Sequence, residues 1–99
     1  MDAWLKCEVS AGQFDNEAAV RGRDFSGDAF SLFALRESLK TQPFGDDWQA
    51  GMLRVEILQS DEAGGRHLIY LPAQSFSNGQ AITVRSDQIE IESSSLMQA

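Results

Sequence analysis

The chain has 99 residues, of which 42% are hydrophobic and 23% are charged, proportions typical of folded globular domains. Eight Lys and Arg against 15 Asp and Glu give a formal net charge of -7, and acids outnumber bases in both halves of the chain. Because phosphate groups are anionic, this balance argues against nucleic acids and anionic membrane surfaces as general partners.

The length predicts a single domain over residues 1–92, followed by a disordered polar tail over residues 93–99. Cys7 is the only cysteine, which excludes an intrachain disulfide and a multi-cysteine metal site. No apolar run is long enough to cross a membrane, and the N-terminus lacks the segments of a secretory signal. We therefore expect a cytoplasmic protein with no cofactor and no bound metal.

In the first half of the chain, alternating apolar and polar residues predict short strands. Residues 4–9 alternate, and residues 18–24 and 29–35 form the next two strands, joined by a short turn that contains a glycine. One or two helical turns then run to Lys40, because Pro43 stops any helix.

The second half predicts further strands separated by turns. Residues 53–57 alternate strictly, and a second strand over residues 66–71 pairs back onto them after a glycine-rich turn over residues 60–65. The dipeptide Asn78-Gly79 is typical of a type I′ turn, in which both central residues have positive φ. It predicts a hairpin between strands over residues 73–77 and 80–85.

The segment Ala81-Ile-Thr-Val-Arg-Ser-Asp-Gln-Ile-Glu-Ile91 contains a strand pattern, one tight helical turn and a last short strand pattern. This order resembles the closing unit of SH3-like barrels. With the strand count, the resemblance implies an all-β fold, a small six- to seven-stranded SH3-like barrel with one short helical turn. An OB-like barrel is the alternative, because a helical turn between the third and fourth strands would suit it. Neither fold by itself assigns a function.

In each predicted strand, the apolar residues at alternate positions are expected to face the core. Cys7 alternates with Leu5 and Val9 in the first strand, so we expect an inert, buried thiol. Ile91, which alternates with Ile89, is also expected to face inward. The predicted core residues are Leu5, Val9, Val20, Leu53, Val55, Ile57, Ile82, Val84 and Ile89.

The segment Pro43-Phe-Gly-Asp-Asp-Trp-Gln-Ala-Gly51 carries two aromatic side chains on either side of two acids. Phe44 and Trp48 either fold back to plug one end of the barrel, or form the floor of a groove with Asp46 and Asp47 as its acidic rim. Trp is a favoured binding anchor, and acids beside it would select basic groups. The groove hypothesis predicts a non-catalytic module that binds another protein or a basic peptide.

Two other functions stay open as alternatives. A small ligand-binding or enzymatic barrel would use His67, the only histidine, with nearby carboxylates. A nucleic-acid-binding barrel would use Arg21 and Arg23, which share one face of the second strand. For these arginines we expect instead an exposed face with ion pairs, for which Glu8 on a neighbouring strand is available. Gly22 between them indicates a bulge or a close backbone approach.

Three more aromatic residues, Phe25, Tyr70 and Phe76, would extend the binding surface if their loops converge on it. Exposed strand edges offer a route to a homo-oligomer. Nucleic acid and membrane are not expected as partners.

Overall fold

A computed structural model describes residues 1–12, 15–40, 43, 47–73, 75–76 and 79–91. Their regular structure is all-β, with two single 3₁₀ turns. The elements are β1 (Asp2–Ala11), β2 (Glu17–Arg23), β3 (Ala29–Leu35), the first 3₁₀ turn (Arg36–Ser38), β4 (Gln49–Asp61), β5 (Arg66–Tyr70), β6 (Ala81–Arg85), the second 3₁₀ turn (Ser86–Gln88) and β7 (Ile89–Ile91).

One antiparallel sheet curls into a small barrel-like fold, as predicted. Its strand order is β3-β2-β1-β4-β5-β6, and β7 pairs with β1. Along one edge of β1, residues 2–9 pair with β4. The other edge is divided, since residues 3–5 pair with β7 and residues 8–11 pair with β2. The all-β prediction is confirmed, whereas the choice between an SH3-like and an OB-like barrel stays a prediction.

Isolated hydrogen bonds link the two ends of the curled sheet. The Phe25 N–H donates to the Thr83 carbonyl at 2.7 Å, which ties the β2–β3 turn to β6. The Phe76 N–H donates to the Ser31 carbonyl at 2.9 Å, which ties the segment after β5 to β3. The Gln88 side-chain amide donates to the Arg23 carbonyl at 2.7 Å. Loops and side chains therefore bring the ends of the sheet together.

Most of the predicted core is confirmed. Seven of the nine predicted residues are buried, while Ile57 and Ile89 are half-buried and pack against the others. Ile91 is 44% exposed, so the prediction that it faces inward is wrong. The sequence pattern missed Phe30 and Leu32 of β3, because the other face of that strand is also apolar.

β4 is longer than predicted because it has two partners. Its residues 49–56 pair with β1, and its residues from Glu56 onward pair with β5. The register with β5 shifts between Ile57 and Gln59, which is a β-bulge. Ser60 lies in this strand although its sequence context predicted a turn.

The hairpin predicted at Asn78-Gly79 is wrong in its first strand. Residues 73, 75 and 76 are not in a strand, and β6 pairs with β5 instead. The Ser75 N–H donates to the Gly79 carbonyl at 3.0 Å, which is a local contact. The Phe76 N–H donates to Ser31 of β3 rather than to β6. Gly79 does have the expected positive φ, +75°. Asn78 and the predicted tail lie outside the described residues.

Candidate functional site

The structure describes two of the four predicted site residues, Asp47 and Trp48, while Phe44 and Asp46 lie outside the described residues. Trp48 directly precedes β4 and keeps 38% of its surface exposed. Asp47 is exposed beside it. Trp48 is therefore not buried, and a groove that it forms with Phe44 and Asp46 stays a prediction.

Arg21 contacts both Trp48 and Glu8. Its guanidinium carbon lies 4.1 Å from the centroid of the Trp48 ring, within range of a cation–π interaction. Its Nε donates to Oε1 of Glu8 at 2.8 Å, and the two residues are direct partners across β1 and β2. The predicted cross-strand ion pair is therefore confirmed. We call Glu8, Arg21, Asp47 and Trp48 the Trp48 surface.

A shallow cleft lies beside the Trp48 surface. Its volume is about 410 Å³, and Glu8, Arg21, Gly22, Arg23 and Ala29 line it. The Arg23 guanidinium is held at the β2–β3 turn, where Nη1 donates to the Gly27 carbonyl at 2.8 Å. Glu8 and Arg21 therefore belong both to this cleft and to the Trp48 surface.

A second tryptophan, Trp4, was not predicted as a site residue. Trp4, Lys6 and Glu8 alternate along β1 and so lie on the same face of the strand. This alternation is the sequence signal that could have identified Trp4. The Arg54 guanidinium lies 4.7 Å and the Lys40 ammonium 5.7 Å from its ring centroid. Trp4 is only 8% exposed, so these two cations cover a ring that has little surface left for a partner.

An apolar patch follows the outer face of β3. Phe33 is 37% and Phe76 66% exposed, and their rings meet edge to face with centroids 5.4 Å apart. Leu35 is also exposed. Of the three aromatics expected to join the Trp48 surface, Phe76 lies in this patch, whereas the Phe25 ring faces Arg66 at 5.7 Å. Tyr70 lies on β5 opposite Glu56.

His67 is buried between two serines. Its Nδ1 lies 2.8 Å from Oγ of Ser60, and its Nε2 lies 3.2 Å from Oγ of Ser86. Both ring nitrogens therefore have hydroxyl partners, and a carboxylate would have to displace one of them. Among the described residues, no group of three or more His, Cys, Asp and Glu is placed to hold a metal ion.

Arg66 lines two further clefts, with volumes of about 430 Å³ and 270 Å³. It pairs with Oδ2 of Asp61 at 3.2 Å. The Gly64 N–H, and then Arg66, lower the pKa of the Asp61 carboxyl, since both stabilise its charged form. These contacts hold the β4–β5 turn in place.

Cys7, for which a buried and inert thiol was predicted, is a half-buried residue that packs against the core. Its Sγ lies 3.6 Å from the Gly51 carbonyl, to which it donates. Burial, with a smaller contribution from the nearby Glu8 charge, raises the thiol pKa to about 12. At neutral pH the group is a protonated thiol, which is a poor nucleophile.

Comparison of the chain with protein-family models, curated proteins and solved structures found no match. Across the part of the chain that the structure describes, no helix has the length and apolar character needed to cross a membrane.

Proposed function

We propose that the protein is a non-catalytic interaction module, which binds another protein or a basic peptide through the Trp48 surface. The observation that carries the proposal is that Trp48 stays partly exposed while its ring already stacks with a guanidinium. Trp and Arg are the residue types that most often dominate binding energy at protein interfaces.

The charges around Trp48 support a cationic partner. Asp47 and Glu8 are both exposed at this surface, and the chain as a whole carries a formal net charge of -7. A field of this sign attracts basic groups and speeds their association, most strongly at low salt.

For the scaffold we propose the SH3-like barrel, supported by the succession of β6, a 3₁₀ turn and β7 at the predicted positions. The OB-like barrel stays the alternative, supported by the 3₁₀ turn between β3 and β4. We also propose a cytoplasmic location, where a lone cysteine stays reduced.

A nucleic-acid-binding surface is a second candidate, favoured by one observation. Arg21 and Arg23 lie on β2, and the exposed rings of Phe33 and Phe76 lie by the neighbouring β3. Bases can stack on such rings while arginines contact phosphates. The Glu8 ion pair of Arg21 and the net charge of the chain weigh against this candidate.

The proposal is tested by replacing Trp48 with Ala and measuring stability and binding on the same sample. The probes are hexa-arginine, hexa-lysine, hexa-glutamate and a thymidine oligonucleotide, each followed by fluorescence anisotropy. We expect saturable binding of the basic peptides that Trp48→Ala weakens by about 30-fold, the scale of an interface hot spot, with little change in the unfolding midpoint.

Tyr70→Ala is the matched control, because Tyr70 is an exposed aromatic on β5. It should leave peptide binding unchanged. A folded Trp48→Ala variant that binds as the wild type does would overturn the proposal, and so would a variant that unfolds, since Trp48 would then be structural. Oligonucleotide binding that collapses with salt would support the second candidate.

A further inference from the structure

Trp48 and Glu8 together make the two contacts that a guanidinium group prefers. A guanidinium is planar, so it can stack on an aromatic face while its N–H groups donate in the plane to a carboxylate. Arg21 does both, at 4.1 Å from the ring centroid and 2.8 Å from the carboxylate oxygen. The Trp48 ring and the Glu8 carboxylate therefore have the geometry of an arginine-binding site.

The guanidinium in this site is not locked in place. About half of the Arg21 and Glu8 side-chain surfaces remains exposed to solvent. Exposed ion pairs and exposed cation–π contacts are weak, so Arg21 can leave at small cost. The adjacent cleft of about 410 Å³ gives its side chain, or that of an incoming arginine, room to move.

We propose that Trp48 and Glu8 form a binding site for an arginine side chain of a basic peptide, and that Arg21 is its internal, competing occupant. This inference rests on the proposed function, because it names the group that the Trp48 surface binds. Arginine is preferred over lysine, because an ammonium is a compact point charge that does not stack. Asp47, exposed next to Trp48, favours further basic residues of the same peptide.

The test compares the affinities of the wild type and the Arg21→Ala variant for hexa-arginine, and asks whether the substitution strengthens or weakens binding. Removing the internal competitor should tighten binding by about threefold to thirtyfold, the range given by one exposed ion pair and one cation–π contact. In the Arg21→Ala background, Glu8→Gln should cancel the gain, and hexa-lysine should gain less than hexa-arginine does.

Lys6→Ala is the matched control. Lys6 is exposed on β1, so this variant removes the same charge without touching Trp48. Any cation removed from the surface strengthens the attraction of a basic peptide, and Arg21→Ala must exceed this general effect. Equal gains for the two variants, or weaker binding by Arg21→Ala, would overturn the inference.

The outcome separates this inference from the function on which it rests. If Trp48→Ala abolishes binding and Arg21→Ala weakens it, the Trp48 surface binds the peptide and Arg21 is a direct contact, so only the inference fails. If Trp48→Ala has no effect on binding, the proposed function fails as well. Oligonucleotide binding that Arg21→Ala weakens would assign Arg21 to phosphate recognition and would overturn the inference.

Discussion

The ring of Phe30 lies directly against Gly22, its partner across the β2–β3 ladder. A Cβ atom at position 22 would be 2.9 Å from Cε2 and Cζ of that ring, and 3.8 Å from Cβ of Cys7. The glycine is therefore required for space inside the fold. This is the close backbone approach that the sequence predicted between the two arginines of β2.

Gly22→Ala should destabilise the protein by about 1–3 kcal/mol, because the added methyl group overpacks the core beneath Phe30. Urea denaturation of the two proteins measures the difference. The control is Gly22→Ala combined with Phe30→Leu, which removes ring atoms near the new methyl group. If the two substitutions are merely additive in a double-mutant cycle, the Gly22–Phe30 contact is not the cause.

The Cys7 thiol should react with iodoacetamide only when the chain unfolds, because its pKa is raised to about 12. The same shift makes stability depend on pH. Above the ordinary value of 9.0 the unfolded chain releases the proton while the folded protein retains it, so stability falls as the pH rises from about 9 to 12. Cys7→Ala, measured over the same pH range, should lose less stability. Rapid alkylation of the folded protein would contradict this expectation.

Leu53→Ala should cost about 2–5 kcal/mol of unfolding free energy, because Leu53 is fully buried. Ile57→Ala should cost less, since Ile57 is half-buried next to the β-bulge of β4. Both variants are measured by guanidinium denaturation under the same conditions. A larger loss at position 57 than at position 53 would show that the register of β4 is wrong.

Gly79→Val should destabilise by more than about 1 kcal/mol, because a β-branched residue is strained at the positive φ of this position. Gly79→Asn is the control, since Asn tolerates the left-handed region and should be affected less. Thermal unfolding monitored by circular dichroism measures both. Equal melting temperatures for the valine variant and the wild type would argue against the positive φ.

The apolar patch of Phe33, Leu35 and Phe76 lies at β3, the first strand in the order of the sheet. Edge strands usually carry charged residues that prevent pairing with another molecule, and β3 has none. We therefore expect weak, concentration-dependent self-association at β3. Sedimentation equilibrium should show it in the wild type, and Phe33→Lys should abolish it. Phe25→Lys, at another exposed ring, should not change it. A wild type that stays monomeric at high concentration would disprove the expectation.

The alternation of polar and apolar residues along the sequence predicted most strands, because each of these strands has one buried and one solvated face. It predicted β3 with the observed bounds but did not identify its buried residues, because the outward-facing Phe33 is also apolar. It was wrong at residues 73, 75 and 76, which are not in a strand, because the turn signal of Gly79 is local whereas the partner of β6 is set by tertiary structure. The Glu8–Arg21 ion pair could be predicted, because alternation places both residues on the exposed faces of neighbouring strands. The contact of Arg21 with Trp48 could not, since it depends on the register that places the start of β4 beside β1.

The division of β1 between β2 and β7 has a consequence for the order in which the protein is built. Residues 3–5 pair with β4 along one edge, but along the other edge they acquire their partner only when Ile91, the end of β7, has been synthesised. At ribosomal rates of about 5–20 residues per second, roughly 4–16 s separate the synthesis of β1 from that of β7. During this interval the backbone edge of Ala3–Leu5 is open to pairing with neighbouring nascent chains. Of the seven described strands, β1 is thus the first to be synthesised, yet part of one of its edges stays unpaired until the seventh has followed.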